Sequence, residues 1–323
     1  MPKLAVYRLK VYYYTGNGLV RAVDGINFDL VNGESLGIVG ESACGKSTLG
    51  TALMRSTQPP GRIVEGTILL RDADIIKMRN SEFDSRMRWK KIAMVFQGAM
   101  NVLDPVYTVE NQLREILEVH HFEGNTEEKL VESLHQVGLD SSVAKRYPHE
   151  LSGGMKQRVV IAMALLLDPD ILIADEPTTA LDMLVQSQII SLLKKLRKEK
   201  GITVIMITHD LALVSQIADK IAIMYAGQLV EVSSTKNIFK KPLHPYTKAL
   251  IEAIPTLRSK DKKIHYVKGS PPSLRNPPAG CRFYKRCGYA MNVCKRDPPE
   301  FKTETGYVRC WLYEEDRKEN PQP

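Results

Sequence analysis

One stretch of the chain combines glycines, a lysine and a hydroxyl at a spacing suited to phosphate binding. Residues 40–47 match the phosphate-loop pattern G-x-x-x-x-G-K-[ST], called Walker A. Glycines let the backbone wrap phosphate, and the helix expected next presents its positive N-terminal end. We expect Lys46 to reach the β- and γ-phosphates of a nucleotide and the Ser47 hydroxyl to bind Mg²⁺. The residues expected around the phosphates are Gly40, Glu41, Ser42, Ala43, Cys44, Gly45, Lys46, Ser47 and Thr48.

Polar residues also follow three other apolar runs that have the length of buried strands. Asp175 and Glu176 follow one run, His209 closes a second, and Gln97 follows a third. The carboxyl ends of parallel strands meet at one edge of a sheet, where such folds place their chemistry. We expect Asp175 to hold Mg²⁺, as the Walker B carboxylate, and Glu176 to polarise an attacking water. We expect His209 to contact the γ-phosphate and Gln97 to meet Mg²⁺ or the water.

Each of these residues also has a purely structural reading when taken alone. Asp175 can cap a helix, Glu176 can be a solvated surface residue, and His209 can be structural. Their order after a phosphate loop is what favours nucleotide hydrolysis, in which a general base typically contributes about a hundred- to ten-thousand-fold.

The elements around these residues predict an α/β fold. Residues 36–39 form a short apolar run before the loop, and residues 48–54 are predicted to be helical. Further strands alternate with helices, which implies a mostly parallel sheet covered on both faces. Two early strands, with a second hairpin turn predicted at Asn32-Gly33, form an antiparallel edge, and residues 108–137 are predicted to be inserted helices.

Two positions in this framework have specific expectations. Tyr13 lies in phase with the apolar residues of the first strand, and we expect its ring to stack on adenine, although packing on the strand face is the alternative. Ala43 stands where related loops often have glycine, and alanine is strained there if the position needs positive φ.

Composition limits the remaining function classes. The 323 residues suggest one large domain plus a smaller part, or two domains. The net charge of +8 suits a nucleic-acid or anionic membrane surface, and equally a lysine-rich nucleotide-binding protein. No long basic block appears, so no nucleic-acid partner is expected.

No apolar run is long enough to cross a membrane, and the N-terminus lacks a signal core, so we expect a cytosolic chain or one held to a membrane by partners.

The motifs, taken in order, resemble those of one family. Residues 151–157, Leu-Ser-Gly-Gly-Met-Lys-Gln, are similar to the signature motif of ATP-binding cassette (ABC) ATPases. The full motif set falls in family order across about residues 4–255. The resemblance implies a RecA-like P-loop core with an antiparallel β edge and a helical subdomain at about 98–160, all within residues 1–258. The residues implied to act on ATP bound by a second subunit are Ser152, Gly153, Gly154 and Asp182.

The C-terminal part, residues 259–323, indicates a narrower class within this family. A charged linker at 260–263 and a boundary near Arg258 are predicted to precede it. Its cysteines are spaced C-x5-C, C-x6-C and C-x15-C, whereas zinc knuckles usually show paired C-x2-C. Irregular thiol spacing suits an iron–sulfur cluster better, with zinc or unliganded cysteines as the alternatives. The four cysteines are Cys281, Cys287, Cys294 and Cys310.

This region and residues 101–105 resemble the ATPase subunits of oligopeptide/dipeptide importers. The resemblance implies a 4Fe–4S cluster on the four cysteines. It also implies a head-to-tail cassette dimer with a second, often different, ATPase chain, two membrane permease subunits and a solute-binding protein. Such a chain would work at the cytoplasmic face of the cell membrane. Oligosaccharide or nickel import is the alternative within the class, and a soluble ABC ATPase acting on ribosomes or DNA is the alternative outside it.

Overall fold

A computed structural model describes residues 3–254 and 269–314. Two compact units make up the chain. The first unit comprises Met1–Val31, Leu36–Ala73 and Thr208–Pro323, and the second comprises Asn32–Ser35 and Asp74–Ile207. The predicted linker at 260–263 and the boundary near Arg258 lie outside the described residues.

The chain alternates between strands and helices, as its sequence predicts. The strands are β1 (Leu4–Thr15), β2 (Gly18–Leu30), β3 (Leu36–Val39), β4 (Gly61–Leu70), β5 (Ala73–Asp74), β6 (Ile92–Val95), β7 (Ile171–Asp175), β8 (Thr203–Thr208), β9 (Lys220–Tyr225), β10 (Gln228–Ser234), β11 (Phe301–Thr303) and β12 (Gly306–Val308). The α-helices are α1 (Lys46–Leu53), α2 (Asn80–Arg86), α3 (Val109–Val119), α4 (Thr126–Gln136), α5 (Gly153–Leu165), α6 (Met183–Lys200), α7 (Leu211–Val214), α8 (Thr235–Lys240) and α9 (Pro245–Glu252).

An antiparallel sheet forms the predicted β edge in the first unit. Strand β1 pairs with β2 on one side and with β4 on the other, in the order β2-β1-β4-β5. Leu9 and Val11 of β1 are fully buried, whereas Lys10 between them is half-buried and Arg8 before them is exposed. The prediction of a hairpin turn at Asn32-Gly33 is wrong, because β2 belongs to this sheet while the next strand, β3, pairs with β9.

The phosphate loop of the first unit directly follows β3. This strand belongs to a second group of strands, in the order β11-β12-β10-β9-β3. Every residue of β3 is buried, which agrees with its uninterrupted apolar sequence. Strands β9 and β10 are antiparallel and joined by a two-residue turn, in which Ala226 and Gly227 both have positive φ, 46° and 87°. Such a turn matches the natural twist of a hairpin. The cysteine-rich segment adds β12 to the other edge of β10.

Parallel strands form the core of the second unit, in the order β8-β7-β6. All of β6, β7 and β8 is buried, as expected for strands covered on both faces. The predicted inserted helices are α3 and α4, which begin at side-chain caps from Thr108 and Asn125. Within the described ranges, no helix combines the length and apolar character needed to cross a lipid bilayer.

Candidate nucleotide site

The phosphate loop folds around its own lysine. The ammonium group of Lys46 donates hydrogen bonds to the backbone carbonyls of Gly40 and Glu41, both at 2.9 Å, and the side chain is 6% exposed. The sulfur of Cys44 lies 3.9 Å from the same nitrogen. The positive charge is thus fixed at the centre of the loop, where phosphate oxygens can reach it.

Glycine is required at two positions of this loop because other backbone segments approach closely. A Cβ atom on Gly40 would lie 2.1 Å from the carbonyl oxygen of Met224, and one on Gly45 would lie 2.0 Å from that of Ala22. Gly45 also has φ of 109°. Ala43 has φ of 59°, so the expected strain at this alanine is present and amounts to about 1–2 kcal/mol.

Helix α1 begins at Lys46, directly after the loop, with Gly45 as its N-cap and no side-chain cap. Ser47 and Thr48 therefore lie in the first turn of the helix, which begins two residues before the predicted start at Thr48. Tyr13 of β1 reaches this turn, because its hydroxyl lies 3.3 Å from the Thr48 Oγ1 atom. A Cβ on Gly61 would fall 2.6 Å from the Tyr13 ring, so the ring lies against β4. Stacking of this ring on adenine stays a prediction.

Cys44 is a buried thiol. Its side chain is 3% exposed, and burial raises the pKa of the thiol despite the nearby Lys46 ammonium. A raised pKa disfavours the thiolate, which is the form that reacts with oxidants. Its backbone contributes more, since the Cys44 carbonyl accepts a hydrogen bond of 2.8 Å from the N–H of Gly227 in the β9–β10 turn.

In the second unit, the structure brings together two of the residues predicted to carry the chemistry. The Gln97 side-chain amide donates a hydrogen bond of 3.1 Å to the Glu176 carboxylate. The Thr179 hydroxyl donates to the same oxygen, at 2.9 Å. Glu176 follows the end of β7 at φ of 46°, and its N–H donates to the carbonyl of Ile207 in β8 at 2.8 Å. Asp175, the last residue of β7, is 2% exposed.

The signature residues and Asp182 also meet within the second unit. Ser152 caps α5 by accepting a hydrogen bond from the Met155 N–H, and Asp182 caps α6 by accepting one of 2.9 Å from Val185. A Cβ on Gly154 would lie 2.8 Å from the Val185 side chain, so the first turns of α5 and α6 are in contact. His209 belongs to the first unit, where it is exposed between β8 and α7.

Two arginines of the cysteine-rich segment contact the phosphate loop or its supporting turn, and the sequence alone did not predict these contacts. Arg286 forms an ion pair with Glu41, and Arg282 donates to the carbonyl of Ala226 and to Asp24. Both arginines are adjacent in sequence to a cysteine. That adjacency is the only local signal, and it says nothing about which distant residue the guanidinium meets.

The four C-terminal cysteines lie near enough to one another for their thiols to interact. Burial and the neighbouring thiols raise the pKa of Cys310 to about 12, and the same two causes raise that of Cys281 to about 11. The Cys281 N–H donates to the Cys294 carbonyl at 2.9 Å. Among the residues that the structure describes, no group of three or more histidine, cysteine or acidic side chains could hold a metal ion. The 4Fe–4S cluster therefore stays a prediction.

Comparison with known proteins agrees with the fold and the motifs. Residues 23–179 match the family model "ABC transporter", and residues 230–294 match "Oligopeptide/dipeptide transporter, C-terminal region". The chain is 46% identical to a dipeptide transport ATP-binding protein, DppD, of Caldanaerobacter subterraneus subsp. tengcongensis, over 97% of this chain and 98% of that protein. It is 42% identical to DppD of Bacillus subtilis, over 97% of this chain and 95% of that protein.

Solved structures show the same fold. The ATP-binding cassette MJ0796, in a dimeric post-hydrolysis state bound to ADP and Pi, superimposes with a TM-score of 0.63 at 28% identity, over 72% of this chain and 98% of that one. The α/β fold, the phosphate loop and the signature helix are those of an ABC ATPase. The chain belongs to the family of ATP-binding subunits of oligopeptide/dipeptide ABC transporters. It is an ATPase whose hydrolysis of ATP is coupled to transport.

Proposed function

We propose that this chain powers the import of dipeptides or short oligopeptides. The single observation that carries the proposal is the match of residues 230–294 to the C-terminal region of oligopeptide/dipeptide transporters, in a chain that is 46% identical to a dipeptide transport protein along nearly its whole length. The chain does not itself select the transported substrate, because in the proposed assembly other subunits present that substrate. Oligosaccharide and nickel import are the competing outcomes of the test.

Each motif is proposed to have its own role in the binding or hydrolysis of ATP. The loop residues and the N-terminal turn of α1 bind the phosphates of ATP, with Lys46 as the charged group fixed inside the loop. Tyr13 stacks on adenine. Glu176 accepts a proton from the attacking water, Gln97 orients that carboxylate, and His209 contacts the γ-phosphate. Ser152, Gly153, Gly154 and Asp182 act on the ATP of a partner cassette.

Mg²⁺ is the proposed metal of the reaction. Its ligands would be Ser47, Gln97 and Asp175, and hydroxyl, amide and carboxylate oxygens are the donors that this ion prefers. The buried Asp175 carboxylate at the end of β7 supports this assignment, since a buried charge is costly unless a cation or donors offset it. When bound, the ion would neutralise charge on the phosphate oxygens.

The four thiols are proposed to bind a 4Fe–4S cluster. In support, the groups that raise the pKa of Cys310, besides burial, are the other three thiols, and such a gathering of sulfur donors suits iron. The described geometry does not by itself complete a ligand set. Protein purified anaerobically should therefore be brown, with about four irons per chain. Colourless protein with one zinc would show that the proposal is wrong.

The proposed assembly contains a second ABC ATPase subunit that is a different chain, two permease subunits and an external solute-binding protein. In that assembly the chain lies at the cytoplasmic face of the membrane. Residues 1–258 are proposed as the nucleotide-binding domain, with a helical subdomain at about 98–160, and residues 259–323 as its extension. Gln97 and the helical region around residues 101–112 would couple the site to a cytosolic helix of the permease.

The deciding experiment is gentle detergent purification from native membranes, followed by identification of the co-purifying proteins. Two permease subunits and a second cassette would support the importer, and uptake of labelled dipeptides, oligosaccharides and nickel into vesicles would then identify the cargo. Ribosomes or DNA in place of any membrane protein would leave the ATPase assignment intact and remove the transport role.

A further inference from the structure

The segment between the first two cysteines of the C-terminal region lies against the phosphate loop. Arg286 forms a bidentate ion pair with Glu41, the second residue of the loop, in which Nη1 and Nη2 each donate to a different carboxylate oxygen at 2.8 Å. The arginine side chain is 6% exposed and the glutamate side chain 25%. A charge-assisted, bidentate pair that is largely shielded from water is stronger than an ordinary surface ion pair.

Aromatic side chains fix the orientation of this pair. The Arg286 Nη1 atom also donates to the Tyr225 hydroxyl at 3.1 Å, and the guanidinium lies 5.6 Å from the centre of the Tyr225 ring. Phe283 packs edge-on against Tyr225, with ring centres 5.3 Å apart. The Tyr246 hydroxyl accepts a hydrogen bond of 3.1 Å from the Glu41 N–H. Glu41 is thus held by both its side chain and its backbone.

Glu41 is joined directly to the residue that binds phosphate. Its carbonyl oxygen accepts one of the two backbone hydrogen bonds from the Lys46 ammonium, at 2.9 Å. Any rotation of the Glu41 peptide therefore moves an oxygen atom that accepts a hydrogen bond from the Lys46 ammonium. The ion pair with Arg286 restrains that rotation from outside the loop.

Arg282 contacts the β9–β10 turn, which is hydrogen-bonded to the loop at Cys44. Its guanidinium is 4% exposed and donates to the carbonyl of Ala226 and to the carboxylate of Asp24. The next residue in the turn, Gly227, donates its N–H to the Cys44 carbonyl at 2.8 Å and accepts from the Asp24 N–H at 2.8 Å. Arg282 therefore supports the turn that holds the middle of the phosphate loop.

We propose that Arg286 is a positioning residue for nucleotide binding, and that through Arg286 and Arg282 the segment 281–287 holds the phosphate loop in its binding geometry. The inference rests on the proposed binding of MgATP by this loop. Because Cys281 and Cys287 bound the segment, a change at these thiols reaches the nucleotide site through the two arginines. By reciprocity of linked equilibria, nucleotide binding must then also stabilise the segment.

The test measures the affinity of the full-length protein for ATP in three variants. Arg286→Ala is expected to weaken ATP binding on the order of ten-fold, the loss typical of a hydrogen bond to a charged group. Arg286→Lys should keep part of the affinity because it keeps the charge but not the bidentate geometry. Glu41→Gln should weaken binding less than Arg286→Ala, and adding it to Arg286→Ala should cause little further loss, as expected for partners in one interaction.

Lys285→Ala is the matched control, since it removes the same charge from an exposed neighbouring position. It should leave ATP affinity within about two-fold of wild type. In steady-state kinetics of Arg286→Ala, kcat should change much less than the KM for ATP, because the residue orients the loop and does not touch the reacting atoms. Hydrogen exchange of the backbone in 281–287 should slow when ATP is added to wild type, and this slowing should disappear in Arg286→Ala.

Two outcomes separate the inference from the function on which it rests. If Lys46→Ala loses ATP binding but Arg286→Ala and Glu41→Gln bind ATP as wild type does, the positioning role is wrong and the nucleotide site stands. If Lys46→Ala binds ATP normally, the assignment of the phosphate loop itself fails. Should Arg286→Ala not fold, Arg286→Lys and Glu41→Gln, with the exchange measurement on wild type, still decide the question.

Discussion

The side-chain amide of Gln97 donates a hydrogen bond of 3.1 Å to the carboxylate of Glu176, and the Thr179 hydroxyl donates to the same oxygen. Two donors on one oxygen restrict the orientation of the Glu176 carboxylate. This is the geometry expected of a general base that must meet a water molecule in one position.

The first prediction concerns Glu176. Glu176→Gln keeps the shape of the side chain but removes its basicity, so ATP turnover should fall about a hundred- to ten-thousand-fold. Bound ATP should then persist and stabilise the cassette dimer, which size-exclusion chromatography with ATP can detect. Turnover at the wild-type rate would refute the role of general base.

The second prediction concerns Gln97. Gln97→Ala removes one of the two donors to Glu176 and one proposed Mg²⁺ ligand, so kcat should fall by about ten-fold and the Kd for MgATP should rise. Steady-state kinetics and nucleotide titration separate the two quantities. Thr179→Val is the paired variant, because it removes the other donor. If neither variant lowered kcat, the two hydrogen bonds would have no part in orienting the base.

The third prediction concerns Lys46, whose ammonium group is held by the carbonyls of Gly40 and Glu41. Lys46→Ala removes the charge inside the loop, and ATP affinity should fall by two orders of magnitude or more, as removal of one partner from a charged pair implies. Isothermal titration with ATP measures the loss. Lys77→Ala, at an exposed lysine outside the loop, is the control and should bind ATP as wild type does.

The fourth prediction concerns pH. His244 is fully buried, caps α9 by accepting the Tyr246 N–H on Nδ1 at 3.0 Å, and has its pKa lowered by burial to about 3. The unfolded state, with an ordinary histidine pKa near 6.5, takes up the proton first. The free energy of unfolding should therefore fall as pH drops from about 6.5 toward 3, with a slope of up to about 1.4 kcal/mol per pH unit.

His244→Asn isolates this effect, because asparagine is a good helix cap and does not titrate. Denaturant unfolding of both proteins between pH 7 and 4 is the measurement. Burial raises the pKa of Glu231, whose carboxylate accepts a hydrogen bond from the His244 N–H. This shift raises the free energy of unfolding as pH falls. Because it is present in both proteins, it cancels in the comparison. An identical pH slope in the two proteins would contradict the prediction.

Local sequence predicts the elements of this protein well wherever burial and short-range geometry decide them. Strands β3 and β6 are uninterrupted apolar runs, β7 and β8 have polar residues only at their ends, and all residues of the four strands are buried. The sequence predicted strain at Ala43 only if its position needs positive φ, and the structure supplies that condition with a φ of 59°. The turn at Asn32-Gly33 was mistaken for a hairpin because a turn signal does not say whether the flanking strands pair.

The sequence by itself determined the phosphate loop, since the residues of the loop are consecutive and their spacing fixes their arrangement. The tertiary structure decided which distant residues support that loop and the proposed base. Glu41 and Arg286 are separated by 245 positions, and Gln97 and Glu176 by 79. No periodic pattern extends over such distances, because partners like these are chosen by how strands and loops pack and not by propensities along the chain.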